Sequence, residues 1–215
     1  MQLTMTQRDF VHRGIGIVGG YIDRKREFSW YNIILLPAVH TIGIFGIIYM
    51  WRWHFDWRTL GLALLWFVLC SLSVTGGYHR LFTHESYKVS WPIRLFLLMF
   101  GAAATQGSVI QWVDTHKRHH NSDNPNLDIV DPHDIKYGLR YAHYGWLFYE
   151  QPKIYEGNVK RLREDRLARW QTKEYGWLML FWGFALPGLI GWLCWDDALG
   201  ALLVVGFTRT VIEWH

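Results

Sequence analysis

The sequence predicts an all-α integral membrane protein, with about four transmembrane helices carrying a cytoplasmic, histidine-rich helical cap. Three observations predict it. Apolar runs fall at about 32–50, 59–75, 174–195 and 198–212, the first long enough to cross a bilayer core of roughly 30 Å. Tryptophan and tyrosine collect at the run ends (Trp30, Tyr31, Trp51, Trp53, Trp57, Trp177, Trp192, Trp195), where an interfacial aromatic belt places them. Between the second and third runs lies a polar stretch, about 78–173, that holds most of the histidines. With 51% apolar residues, 14 tryptophans and yet 19% charge, the composition suits neither a soluble domain nor helices wholly sunk in lipid. A length of 215 residues fits one domain, 1–215.

Residues 1–31 form a polar N-terminal segment with Arg8, Arg13, Arg24, Lys25 and Arg26 and no apolar core, so no cleavable signal peptide is expected. The first run contains Pro37 and His40; no box of histidines surrounds His40, which reads as a packed or hydrogen-bonded side chain. The loop WRWHFDWR turns the chain at 51–58, and His12 and His54 face water or the interface. The second run ends at Gly76–Gly77, directly before the first histidine cluster. A third apolar stretch, Pro92–Val113, includes Arg94, Gln106, Ser108 and Gln111. It reads as one helix on, or dipping into, the membrane surface; a true crossing would put the two histidine clusters on opposite sides. The polar segment 121–173 contains turn-rich NSDNPNLDIVDPHD and the basic NVKRLREDRLARW. The latter is either a solvated helix or a contact for a membrane surface or an acyl carrier. Lys and Arg number five before the first run, two in the 51–58 loop, fourteen in 78–174 and none in the Asp196–Asp197 turn. The positive-inside rule therefore sets the N-terminus and the cap in the cytoplasm. That bias accounts for the net charge of +4, so no nucleic-acid partner is inferred. Cys70 and Cys194 sit in apolar runs and read as packing residues.

The chemistry concentrates in YHRLFTHESYK and WVDTHKRHHN, which bring together His79, His84, His116, His119 and His120. Imidazole is the commonest neutral metal ligand. On an α-helix His116, His119 and His120 (i, i+3, i+4) share a face. His79 and His84 (i, i+5) lie about 140° apart on a regular helix, so the helix is expected to end or unwind near Leu81–Thr83, with the glycines permitting the turn. An all-nitrogen set suits iron, zinc or copper. No Glu stands between paired histidines, against an HExxH zinc hydrolase. Five histidines exceed the need of one catalytic metal, which favours two.

The pair HRLFTH … HKRHH resembles the histidine boxes of the membrane fatty acyl desaturases, the Δ9-type acyl-CoA desaturases most of all. Tyr87–Lys88, Asp131–His133 (DPH), Ala142–Leu147 (AHYGWL) and Phe207–Arg209 (FTR) extend the resemblance from about residue 30 to the end. It implies a di-iron enzyme of unsaturated fatty acid biosynthesis that uses dioxygen and two electrons to place a cis double bond in a saturated acyl chain. The five histidines match the family's iron ligands, and no separate acid or base is implied. Asp131 and His133 are expected to orient ligands or shape the cap. His143 and Trp146 read as lining a substrate channel or as packing. Asp114 and Asn121 read as hydrogen-bond partners of the second box or as solvated. Arg80 and Lys117 read as contacts for donor phosphates or the electron donor. Implied partners are a long-chain saturated acyl-CoA or other acyl donor, the lipid bilayer, and a ferredoxin or b-type cytochrome with its reductase.

The sequence departs from the family in two places. It ends Glu213-Trp214-His215, before the family's Asn-Ser-x-x-His element and third HxxHH box, so it reads as a C-terminally truncated desaturase, inactive alone. Glu85 and Thr115 also differ from residues frequent in animal relatives, which leaves the acyl carrier open. The rival enzyme is a histidine-box hydroxylase or alkane monooxygenase. The non-enzyme rival, a membrane metal-binding or transport protein, would carry its site near the bilayer midplane, whereas these histidines follow the spans.

Overall fold

The computed structural model describes residues 27–122 and 131–215. The expectations for segment 1–26 and for most of the turn-rich stretch, 123–130, fall outside them. Among the described residues the chain is helical, with one isolated bridge, Phe28 to Tyr149. In order come α1 (Trp30–Arg52), α2 (Trp57–Thr83), α3 (Trp91–Ala103) and α4 (Val109–Asn121). The short α5 (Leu139–His143), then α6 (Glu156–Glu164) and α7 (Arg166–Lys173), complete the cap. Finally α8 (Tyr175–Trp195) leads through a tight turn at Asp196 into α9 (198–214).

The chain is an all-α integral membrane protein. In α1, α2 and α8, only 22%, 28% and 22% of the most apolar window is buried, so these faces need a solvent other than water. Ile34, Ile44, Phe45, Ile47, Leu64 and Leu65 all point outward. Trp30, Trp51, Trp53, Trp57, Trp177 and Trp192 are exposed at the helix ends, as the aromatic belt predicts. Among the described residues three helices are long and apolar enough to cross a membrane. The fourth run folds as α9, but its 17 residues rise only about 26 Å.

The core of α9 differs from a lipid-facing helix. Arg209 (2% exposed) pairs with Glu213 (4%) and donates to the carbonyl oxygens of Val205 and Ala103, so its charge is spent inside the protein. Close approach lets α1 and α9 touch: a Cβ on Gly46 would meet Leu203 O at 3.0 Å and Thr208 Oγ1 at 2.6 Å. Thr208 donates to the Gly43 carbonyl at 2.7 Å. Gly46→Leu is therefore expected to pry the two helices apart and destabilise the fold by about 1–3 kcal/mol, read as a lowered Tm in detergent.

Near the histidines one expectation is corrected and another is met. The third apolar stretch is two helices: Thr105 adopts φ 60°, Gly107 φ 93°, and Ser108 accepts from the Gln111 N–H to cap a new start. The chain reverses there, so α4 rather than α3 carries the second box. The helix carrying the first box ends where expected, at Thr83. From Ser73 to Thr83 it widens into a π-helix, whose i→i+5 bonding is the spacing of the first box. Gly76 and Gly77 stay helical; Gly77 gives Leu97 of α3 room, with Leu97 Cβ 3.1 Å from where its own Cβ would stand.

Two apolar clusters then fix the cap to the bundle. Trp66, Cys70, Val74, Phe100, Ala103 and Val205 join α2, α3 and α9. Above them Tyr78, Leu81, Phe82, Leu98, Ile110, Val113, Val159 and Ala168 join the π-segment to α3, α4, α6 and α7.

Candidate metal centre

The π-segment sets both histidines of the first box on one face. His84 N–H donates to the His79 carbonyl at 3.1 Å, and the rings stand 4.6 Å apart. Helix α4 presents His116 and His120, one turn apart, to the same point. His116 Nε2 lies 3.3 Å from His84 Nε2 and 3.0 Å from His120 Nε2. Ligand atoms of His79, His84, His116 and His120 all lie within 4.8 Å of one another.

His119 does not join them. One position from His120, it is turned by about 100° around α4. It falls in a second group with Asp131 and His133, also within 4.8 Å of one another. The five histidines thus divide four and one.

Electrostatics favours metal binding at the four-imidazole set. Burial first, then the neighbouring imidazoles of His120, His79 and His84, push the His116 pKa down to about 4. At neutral pH its lone pair is free, the form a metal requires. Burial also lowers His133, against the opposing pull of Asp131.

The other candidates are placed as follows. Asp114 is buried and accepts from Arg118 Nε and Asn158 Nδ2, both at 2.9 Å, tying α4 to α6. Asn121 ends α4. Trp146 stands 5.4 Å from the His133 ring. His143 meets His215, which meets His40, with nitrogen separations of 3.0 and 2.9 Å. That third histidine group was invisible in sequence, since its members lie up to 175 residues apart. Trp112 was also missed; it stacks on His116 with centroids 4.8 Å apart, and its signal was its position one turn before His116. Of the cations, Lys117 donates to Asn158 O at 2.8 Å.

No family model matches the chain. Curated proteins do. It is 32% identical over 194 residues to stearoyl-CoA desaturase of Sus scrofa, covering 87% of this chain and 53% of that protein. It is 30% identical to acyl-CoA desaturase 1 of Saccharomyces cerevisiae (87% and 36%) and 34% to Delta(9)-fatty-acid desaturase fat-5 of Caenorhabditis elegans (81% and 53%). The chain belongs to the fatty acyl desaturase family. It spans about half the length, or less, of these curated relatives. In desaturase terms, the matched region includes both histidine boxes, and the geometry gathers four of their five imidazoles around one point. Neutral nitrogen donors in that arrangement fit a transition-metal ion such as iron.

Proposed function

We propose that this chain is the histidine-box region of a membrane fatty acyl desaturase, an oxidoreductase that places a cis double bond, Δ9, in a long-chain saturated acyl group. The observation that carries the reading is the convergence of His79, His84, His116 and His120 at the end of an apolar helix long enough to cross a membrane. There a site is reached by an acyl chain from the lipid side and by polar partners from the cap side. Two non-haem irons, with dioxygen and two electrons, would supply the hydrogen abstraction. The chain's own residues bind and orient: four imidazoles hold one metal, and His119 belongs to the second. In this reading the acyl group arrives as acyl-CoA or on another carrier. The N-terminus and cap face the cytoplasm in this reading, where a ferredoxin or a b-type cytochrome delivers electrons. The basic count of the cap supports it.

The test is product analysis. Membranes expressing the parent reading frame, given stearoyl-CoA, dioxygen and an electron donor, should yield an oleoyl product whose double bond is located by mass spectrometry. A hydroxylated acyl product without alkene would reassign the protein to the hydroxylases.

A further inference from the structure

The third histidine group closes one end of a strap. Cap residues 139–150 lie along α1, and the seam is bonded at both ends. At one end Ser29 N–H donates to Phe148 O and Glu150 N–H to Glu27 O, both at 2.9 Å. Asn32 Nδ2 adds a bond to Leu147 O at 2.7 Å. Along the seam runs an apolar groove lined by Ile33, Tyr141, Gly145 and Phe148 among others, so packing alone does not hold it. At the other end, about 16 Å further along α1 than Ser29, His40, His143 and His215 form a row.

The row has one proton pattern. The Leu36 carbonyl only accepts, so His40 Nδ1, 2.7 Å away, carries a hydrogen and His40 Nε2 a lone pair. His215 Nε2, 2.9 Å from that lone pair, donates to it, which leaves His215 Nδ1 to accept from His143 Nε2 at 3.0 Å. Only His143 Nδ1 is left over. Tyr144 packs on the row, its ring 5.3 Å from His215 and 5.5 Å from His40. Burial pushes its phenol up to about 12, so it stays neutral. A first extra proton settles on His143 Nδ1 and breaks no bond. A second, on His215 or His40, sets N–H against N–H and charge against charge. Burial first, then His40 and His143, hold the His215 pKa below the ordinary imidazole value. Among the described residues the imidazoles paired with a carboxylate are His54, His119 and His133, none of them in the row. On the elements joined, the charged side chains are Arg140 of α5, the mutually neutralising Arg209 and Glu213 of α9, and Arg52 at the far end of α1.

We propose that His40, His143 and His215 are a proton-operated clasp that closes the strap on α1 and releases it on acidification. The clasp stands apart from the acyl chemistry. Its strap also carries Trp146, 5.4 Å from the His133 ring, so release reaches the flank of the second box. Closure requires a neutral His215. Its contribution is therefore whole above about pH 6.5 and is lost as the pH falls from there through the lowered His215 value.

Hydrogen exchange of the detergent-purified full chain, read by mass spectrometry, tests this. Exchange of peptides covering 139–151 is divided by that of α6 and α7 at each pH, which cancels the intrinsic pH dependence. From pH 7.5 to 5.5 the wild-type ratio should rise, by about tenfold for each pKa unit that closure takes off His215. His215→Gln offers a donor and an acceptor spaced like the two ring nitrogens and does not titrate, so it should abolish the rise. His215→Leu, which bonds to neither neighbour, should give a high ratio at every pH. The proposal is overturned if the wild-type ratio is flat, if H215Q keeps the pH dependence, or if H215L matches the wild type at pH 7.5.

Discussion

Alanine in place of His116 is expected to abolish metal binding at the four-imidazole set, and with it any acyl desaturation by the complete protein. His116 is the hub of that set. Its Nε2 is within 3.3 Å of His84 and 3.0 Å of His120, and its ring is 4.7 Å from that of His79. Without it, the first box loses its nearest contact with α4, and the remaining imidazoles no longer enclose a point. Loss of a direct ligand exceeds the about 10–100-fold that follows loss of an outer partner. Iron content by mass spectrometry should fall by the share held at the four-imidazole set. Thermal stability of the metal-free protein should barely change, because the ring is only part-buried and its packing partner Trp112 keeps its own helix. Full iron content in H116A would place the metal elsewhere.

Arg209→Met is expected to be the most destabilising single change in the bundle. The guanidinium is buried among Val205 O, Ala103 O, Thr210 Oγ1 and the Glu213 carboxylate, and it ties α9 to α3. Methionine fills the same volume but leaves Glu213 as a buried, unpaired acid, at a cost of about 3–5 kcal/mol. Removing both charges, as Arg209→Met with Glu213→Leu, should recover most of that, because two desolvated ions are replaced by packing. Melting of the single and double variants in detergent checks this. A single variant as stable as the double would show that leaving Glu213 unpaired costs nothing.

Much of this was legible from sequence because two periodicities are strong. Runs of lipid-facing residues gave α1, α2 and α8, and HKRHH gave a helix presenting His116 and His120 together. The break at 105–107 was written in Gln106-Gly107-Ser108, a glycine before an N-cap residue, but the surrounding apolar residues masked it. The separation of His119 from its neighbours was not legible. Helical geometry allows i, i+3 and i+4 to share a face, and Asp131 together with the partner box decides which of them do. The way the first box closes was hidden too, since no residue type announces a π-helix; its spacing of five was the only trace.

That widened stretch also sets an azimuth. Ser73–Thr83 contains His79 and continues α2, so the direction in which the first box points is geared to the lipid-facing residues below it. Deleting one residue between His79 and His84 would leave an i, i+4 pair, which a regular α-helix still holds on one side. The local couple would survive, yet the later histidine would be rotated by about 100° for the residue removed, away from α4. The first box is thus phased as well as spaced, and its length, more than its intervening side chains, is what lets two distant helices meet at one atom.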